Sequence, residues 1–212
     1  MQEKTINKKE YIDRYESTEA PNNYLKIFNK VALDIQKNKG CSELEISRLR
    51  KRPYFLANIA KENSCKSIAE VGTAQGLQFY SFAEYLSEIG GKVFSCDIRD
   101  ARNNEYKSKY PNTCDFTLGT SFELNSKILS TNEKIDMFFI DGGHDRSDVI
   151  RDIANLKQFQ SDSPIWVFDD YDVRFGIYEE IRSIEDTSEF SVRINQASEE
   201  RPNHMLIVWG KM

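Results

Sequence analysis

The chain has no run of about 18 apolar residues and no apolar segment behind a basic start, which argues against a membrane span, a membrane partner and a secretory leader. It also lacks CxxC spacing: Cys41, Cys65, Cys96 and Cys114 are scattered, and the two histidines, His144 and His204, stand near no cysteine pair. A zinc site needs such a cluster, so the thiols read instead as the reduced, mostly buried cysteines of a cytoplasmic protein. Positive charge in excess is missing too. A net charge of −5 and a pI near 5.3 argue against binding along a nucleic-acid backbone. The one basic run, Arg48-Leu-Arg-Lys-Arg52 ahead of Pro53, reads as a solvated helix end. Internal repeats and low-complexity tracts are absent as well.

What remains is ordinary for a globular protein: 212 residues, 39% hydrophobic and 30% charged. That length implies one sizeable core with an added helical segment. Residues 1–52 are expected to form an N-terminal helical segment, a lid or a homodimer contact, and 53–212 the main domain. The first 20 or so residues are polar and read as frayed or lightly docked. Leu25, Phe28, Ala32 and Ile35 recur at helical spacing up to Gly40, and Pro53 suits the first turn of a second helix through Tyr54, Phe55 and Ile59. Strands are expected from Ser67, then over 92–97, 113–118, 135–141 and 165–168. Helices alternate with them, over 77–89, about 103–110, 122–129, around Val149, Ile153 and Leu156, and over 176–184. Two last strands, 190–197 and 205–210, are joined by a connection too short for a crossover, so they pair antiparallel. The fold class is therefore α/β: a Rossmann-like, doubly wound, mostly parallel seven-stranded sheet with a C-terminal antiparallel hairpin.

In such a sheet, ligands bind beyond the carboxyl ends of the strands, where strand order reverses. The first strand runs into Glu70-Val-Gly-Thr-Ala-Gln-Gly76, an acid followed by a turn of small residues. The others end at Asp97, Gly119-Thr-Ser121, Asp141 and Asp169-Asp170. Acids gathered at one edge repel each other unless a cation, hydroxyls or backbone donors satisfy them. Asp97 lies at the distance from the turn expected of a carboxylate that grips ribose hydroxyls. The glycines do not follow G-x-G-x-x-G, since the last comes one position early, and Glu70 would repel a phosphate.

Glu70-Val-Gly-Thr-Ala-Gln-Gly76, Asp97 and the terminal hairpin together resemble the class I S-adenosylmethionine-dependent methyltransferases, over roughly residues 55–212. Their motif usually reads [DE]-x-G-x-G-x-G; Ala74 replaces the middle glycine here. Within that superfamily Phe139-Ile-Asp-Gly-Gly-His144, with Asp148 and Asp152 following, and Trp166-Val-Phe-Asp-Asp-Tyr171 resemble small-molecule and sugar O-methyltransferases. The resemblance implies that Glu70 and the backbone of Gly72, Thr73, Ala74 and Gly76 lie beside the methionine part of the cofactor. It places Asp97 on the ribose hydroxyls and Gly119, Thr120 and Ser121 beside the adenine. Asp141, which also borders the cofactor, matches with Asp169 and Asp170 the three oxygen ligands of a divalent cation. All-carboxylate donors suit a hard ion, with Mg²⁺ leading and Ca²⁺ or Mn²⁺ as alternatives.

Methyl transfer from a sulfonium needs a deprotonated acceptor aligned with the S–CH₃ bond. His144, three residues after Asp141, can serve as general base or can orient Asp141 and its loop. His204 reads as a surface residue. Tyr171, Asp172 and Arg174 either touch substrate or simply shape their loop. Tyr11, Tyr15 and Tyr24 belong to the lid or dimer segment, while Tyr54 and Phe55 read as helix packing on the core. The residues also admit a nicotinamide-dependent oxidoreductase, or a methyltransferase-like scaffold that binds without catalysis. Both explain less of the set Glu70, Asp97, Asp141, His144, Asp169 and Asp170.

Overall fold

A computed structural model of the chain describes residues 8–39, 51–196 and 203–212. The described elements begin with helices α1 (Lys8–Ser17), α2 (Asn22–Lys39) and α3 (Lys51–Glu62). There follow β1 (Ser67–Val71), α4 (Leu77–Ile89), β2 (Lys92–Asp97), β3 (Cys114–Leu118), α5 (Ser121–Thr131) and β4 (Ile135–Ile140). Then come α6 (Arg146–Leu156), β5 (Gln160–Phe168), α7 (Tyr178–Thr187), β6 (Ser191–Gln196) and β7 (Asn203–Trp209). The seven strands form one sheet in the order β3-β2-β1-β4-β5-β7-β6. The first five pair in parallel, and β7 runs antiparallel to both β5 and β6. Strand order reverses between β1 and β4, where a crevice must open. No described helix is long and apolar enough to cross a membrane.

Side chains alternate between two cores, as a period of two requires. Ile68, Val93, Met137, Phe139, Ile165 and Val167 face the side covered by α1 to α4. Ala69, Phe94, Phe138, Ile140, Trp166 and Phe168 face α5 to α7. Both faces being covered explains why β4 reads as a nearly unbroken apolar run.

Several expectations need correction. Residues 103–110 form successive turns instead of a helix. Asn103 accepts a hydrogen bond from Glu105 N at 3.0 Å through its own side chain, the local competition that keeps asparagine out of helix interiors. The N-terminal stretch is docked from α1 onward: Tyr11 lies 5.3 Å from the Trp209 ring and Tyr15 meets Phe55 edge-on at 5.1 Å. These tyrosines are four apart and share one helix face, which a count of polar residues overlooks. β5 starts at Gln160, since its polar first half extends past the sheet core, and α7 starts at Tyr178. Arg48 to Arg50, Cys41 and the hairpin connection lie outside the described residues. His204 pairs with Asn195 in the β6–β7 ladder, so it belongs to the strand and not to the turn.

Candidate active site

The crevice is built on the turn after β1. Gly72 adopts φ +95°, and a Cβ there would lie 1.9 Å from the Asp141 carbonyl oxygen. Only glycine lets the β1 and β4 exits approach this closely. Ala74 has φ +47°, and Gly76, at φ +89°, precedes the first turn of α4. The turn is closed by Asp97, whose Oδ2 accepts from Ala74 N at 2.8 Å while Oδ1 accepts from Arg99 N at 2.9 Å. The two loops that follow β1 and β2 are thus tied together through one carboxylate.

Glu70 lies within β1, on the same face as Ile68, and is fully buried. Ser95, its partner in β2, donates to Oε2 at 2.5 Å, and the Thr73 hydroxyl stands 2.5 Å from Ser95 Oγ. Oε1 has no hydrogen-bond partner among the described residues. Burial pushes the carboxyl up to about 8, against the pull of the Ser95 hydrogen bond. A buried acceptor oxygen left open beside a cavity is an invitation to a donor.

Three carboxylates meet on the α3 side. Because Phe139 pairs with Val167 on that face, the residues two further on, Asp141 and Asp169, emerge together. Asp170 follows at φ +54°, a left-handed conformation that aspartate tolerates better than most side chains. One carboxylate oxygen from each of the three falls within 4.8 Å of the others. Burial first, then Asp169, raises the pKa of Asp141 well above its ordinary value. The same two causes raise Asp170, opposed by His144. His144 Nε2 stands 2.7 Å from Asp170 Oδ2, and its ring stacks on Phe175 at 4.9 Å. His144 therefore touches Asp170 and not Asp141, the partner its sequence position suggested.

Arg52 is the residue the sequence analysis misplaced. It sits in the first turn of α3 with only 12% of its side chain exposed, so it is no solvated helix end. Its Nη1 binds Asp169 Oδ2, its Nη2 lies 3.3 Å from Asp141 Oδ2, and its guanidinium covers the Phe139 ring at 5.5 Å. The one available signal was the acid surplus at the strand ends, which demanded a cation from somewhere.

On the opposite side of the crevice, Thr120 caps α5 with its hydroxyl while Glu123 reaches back to the Thr120 N–H at 2.7 Å. Ser121 is buried and donates to Asp152 Oδ1 at 2.6 Å, with Asn155 donating to it at 2.9 Å. Gly119 completes this wall at φ +147°. This wall and the acid-bearing strand ends open onto one cavity of about 920 Å³. It gathers Glu70, Gly72, Thr73, Ala74, Asp97, Gly119, Thr120, Ser121, Asp141, His144, Asp169 and Asp170. Gly76 is not in its lining, whereas Gln75, Gln78, Ile98 and Phe175 are, none of them a residue type that announces a site. Tyr171 points the other way, donating to Glu185 at 2.6 Å, and Asp172 holds Arg174, which does reach the cavity.

Residues 69–171 match a family model described as a methyltransferase domain. No curated protein sequence matches the chain. Among solved structures, an O-methyltransferase from Bacillus cereus in complex with SAH shares 13% identity at a TM-score of 0.67, with 97% of this chain and all of that one covered. An O-methyltransferase from Streptomyces achromogenes involved in tomaymycin synthesis, in complex with SAM, shares 12% at 0.67 with both chains wholly covered. An SAH-bound methyltransferase from Podospora anserina shares 11% at 0.63, covering all of this chain and 97% of the other. The reversed sheet order and the antiparallel β7 give this chain the Rossmann-like methyltransferase fold, and its residues 69–171 are similar to a methyltransferase domain.

Proposed function

We propose that the chain is an S-adenosylmethionine-dependent O-methyltransferase acting on a small-molecule or sugar hydroxyl, assisted by a divalent cation. The observation that carries this reading is the convergence of two sets of groups on one cavity. At one end lie the open Glu70 oxygen, the Gly72 turn and Asp97; at the other lie Asp141, Asp169, Asp170 and His144. Glu70 offers an acceptor for an ammonium group, and Asp97 keeps lone pairs for ribose hydroxyls beside its two backbone bonds. The glycine spacing does not build a pyrophosphate cradle, which weighs against the nicotinamide reading.

Three converging carboxylates fit a hard cation such as Mg²⁺, and among the described residues their direct ion-pair partners are Arg52 and His144. Such an ion would be held by Asp141, Asp169 and Asp170, and it would lower the pKa of an acceptor hydroxyl and orient it. The remaining work belongs to the chain. His144, aligned by Asp170 and Phe175, accepts the hydroxyl proton at its free ring nitrogen. The cavity walls hold donor and acceptor in line, so transfer needs no covalent enzyme intermediate. Two helices before β1 contribute to one wall: Ile35 of α2 and Arg52 of α3 both line the cavity. The buried free thiols of Cys65 and Cys96 support a reducing, cytoplasmic setting.

Titration with S-adenosylhomocysteine, followed by thermal shift, tests the cofactor: it should raise Tm in a concentration-dependent way. Stabilisation by NAD(H) in preference to S-adenosylhomocysteine would overturn the reading. Loss of methyl transfer to polyol and phenol acceptors in EDTA, restored by Mg²⁺, tests the metal.

A further inference from the structure

We infer that Arg52 is a resident counter-cation that competes with a divalent ion for Asp141 and Asp169. This rests on the metal reading above and goes beyond it, because it assigns control of the site to a residue outside the three carboxylates.

The geometry points to competition rather than to a supporting role. Arg52 lines the same cavity as the acids, and its two terminal nitrogens engage Asp141 Oδ2 and Asp169 Oδ2, on two of the three carboxylates that converge within 4.8 Å. A planar guanidinium spanning two carboxylates matches the spacing that a single ion would bridge. Asp170, the third, is held separately by His144 at 2.7 Å. A cation seated among the three oxygens would lie beside a nearly buried like charge, and at such range that repulsion is large. Filling the site therefore requires the guanidinium to release at least one carboxylate. Its Nε is buried with no hydrogen-bond partner among the described residues, so nothing on that edge anchors the head group against such a shift. The Phe139 ring below it offers a surface along which the guanidinium can slide while keeping its cation–π contact. The same contacts give Arg52 a second duty: without an ion, it keeps two neighbouring acids from facing each other unscreened.

The test is Mn²⁺ alone, titrated into the full-length, cofactor-free protein and read by the electron paramagnetic resonance of the free ion. Arg52→Met should bind one Mn²⁺ at least about tenfold more tightly than the wild type, because a neighbouring positive charge has gone. Mn²⁺ should also raise the Tm of Arg52→Met more than that of the wild type. If Arg52→Met does not fold, Arg52→Lys replaces it: an ammonium can engage only one of the two acids, and affinity should rise by about threefold. A wild type that takes up no Mn²⁺ beside a variant that does would also support the competition. Unchanged or weaker Mn²⁺ binding in the variants, with the wild type binding, overturns it while leaving the metal reading intact. Absence of Mn²⁺ binding in every form overturns both, and S-adenosylhomocysteine binding still tests the methyltransferase reading by itself.

Discussion

His144 Nε2 lies 2.7 Å from Asp170 Oδ2, and the same imidazole stacks on Phe175 at 4.9 Å. A ring held at one nitrogen and over one face presents its other nitrogen in a fixed direction, as a general base requires. More than half of the His144 side chain is exposed, so its removal should disturb the fold little. His144→Gln should lower kcat by about 100-fold and flatten the acid limb of the pH–rate profile, with S-adenosylhomocysteine affinity unchanged. Steady-state kinetics across pH check this; an unaltered profile would remove the base role.

Glu70 gives a pH dependence whose sign can be worked out. Its folded carboxyl titrates near 8 because of burial, against an ordinary value of 4.5. Between those values the folded chain keeps a proton that the unfolded chain has released. Its contribution to stability is thus fully present below pH 4.5 and is lost as pH rises through 8. Glu70→Gln cannot ionise, so its stability relative to wild type should grow over that window, by about 5 kcal/mol at most. Melts of cofactor-free protein at the two ends of the window measure the change. An equal gap at both would mean that Glu70 ionises normally.

How legible this site was depends on the physics behind each residue. The strand ends were readable because apolar runs fix the sheet, and the sheet fixes where Asp97, Asp141, Asp169 and Asp170 emerge. The parallel pairing of the first five strands followed from the alternation of strands and helices, and the antiparallel β6–β7 pair from the short connection between them. Arg52 was not readable. Its burial comes from α3 packing against α1 and α4, which sets the guanidinium over Phe139 and against Asp141 and Asp169, a tertiary event with no local signature, and a basic run before a proline is normally solvated. The turns over 103–110 were missed for a smaller reason, the Asn103 side chain accepting from the Glu105 backbone N–H. His144 was found by its motif, but its partner is Asp170, because the loops after β4 and β5 fold toward each other.

Asp169 is nearly buried and is engaged by Arg52, so its loss touches both stability and chemistry. Asp169→Ala leaves the guanidinium with Asp141, at 3.3 Å, as its remaining ion-pair partner among the described residues and should cost about 3–5 kcal/mol. Turnover should vanish with it, and added Mg²⁺ should not restore it. Denaturant melts give the first quantity, and methyl transfer over a range of Mg²⁺ gives the second. Full activity in the variant would show that the acid cluster only serves the fold.

Gly72 is where the turn after β1 and the exit of β4 approach most closely. The Asp141 N–H donates to the Val71 carbonyl at 2.9 Å, which draws the β4 exit tightly against the β1 turn. Gly72 in turn donates to the Cys96 carbonyl at 2.9 Å, so its backbone cannot swing away without breaking the link to β2. An added Cβ would overlap the Asp141 carbonyl oxygen at 1.9 Å, against backbone and not a yielding side chain, at a φ of +95° that L-residues avoid. Gly72→Ala should therefore cost about 3 kcal/mol or more through strain and overpacking together. Because the displaced atom belongs to Asp141, cation binding and S-adenosylhomocysteine binding should weaken together, although Gly72 offers neither a side chain. By contrast, Gly90→Ala meets no atom within 4 Å and should cost only the strain of its left-handed φ of +69°, with both affinities preserved. Parallel calorimetric titrations of the two variants separate the outcomes: equal losses of affinity in both would mean that general destabilisation, and not the Gly72–Asp141 contact, governs the site.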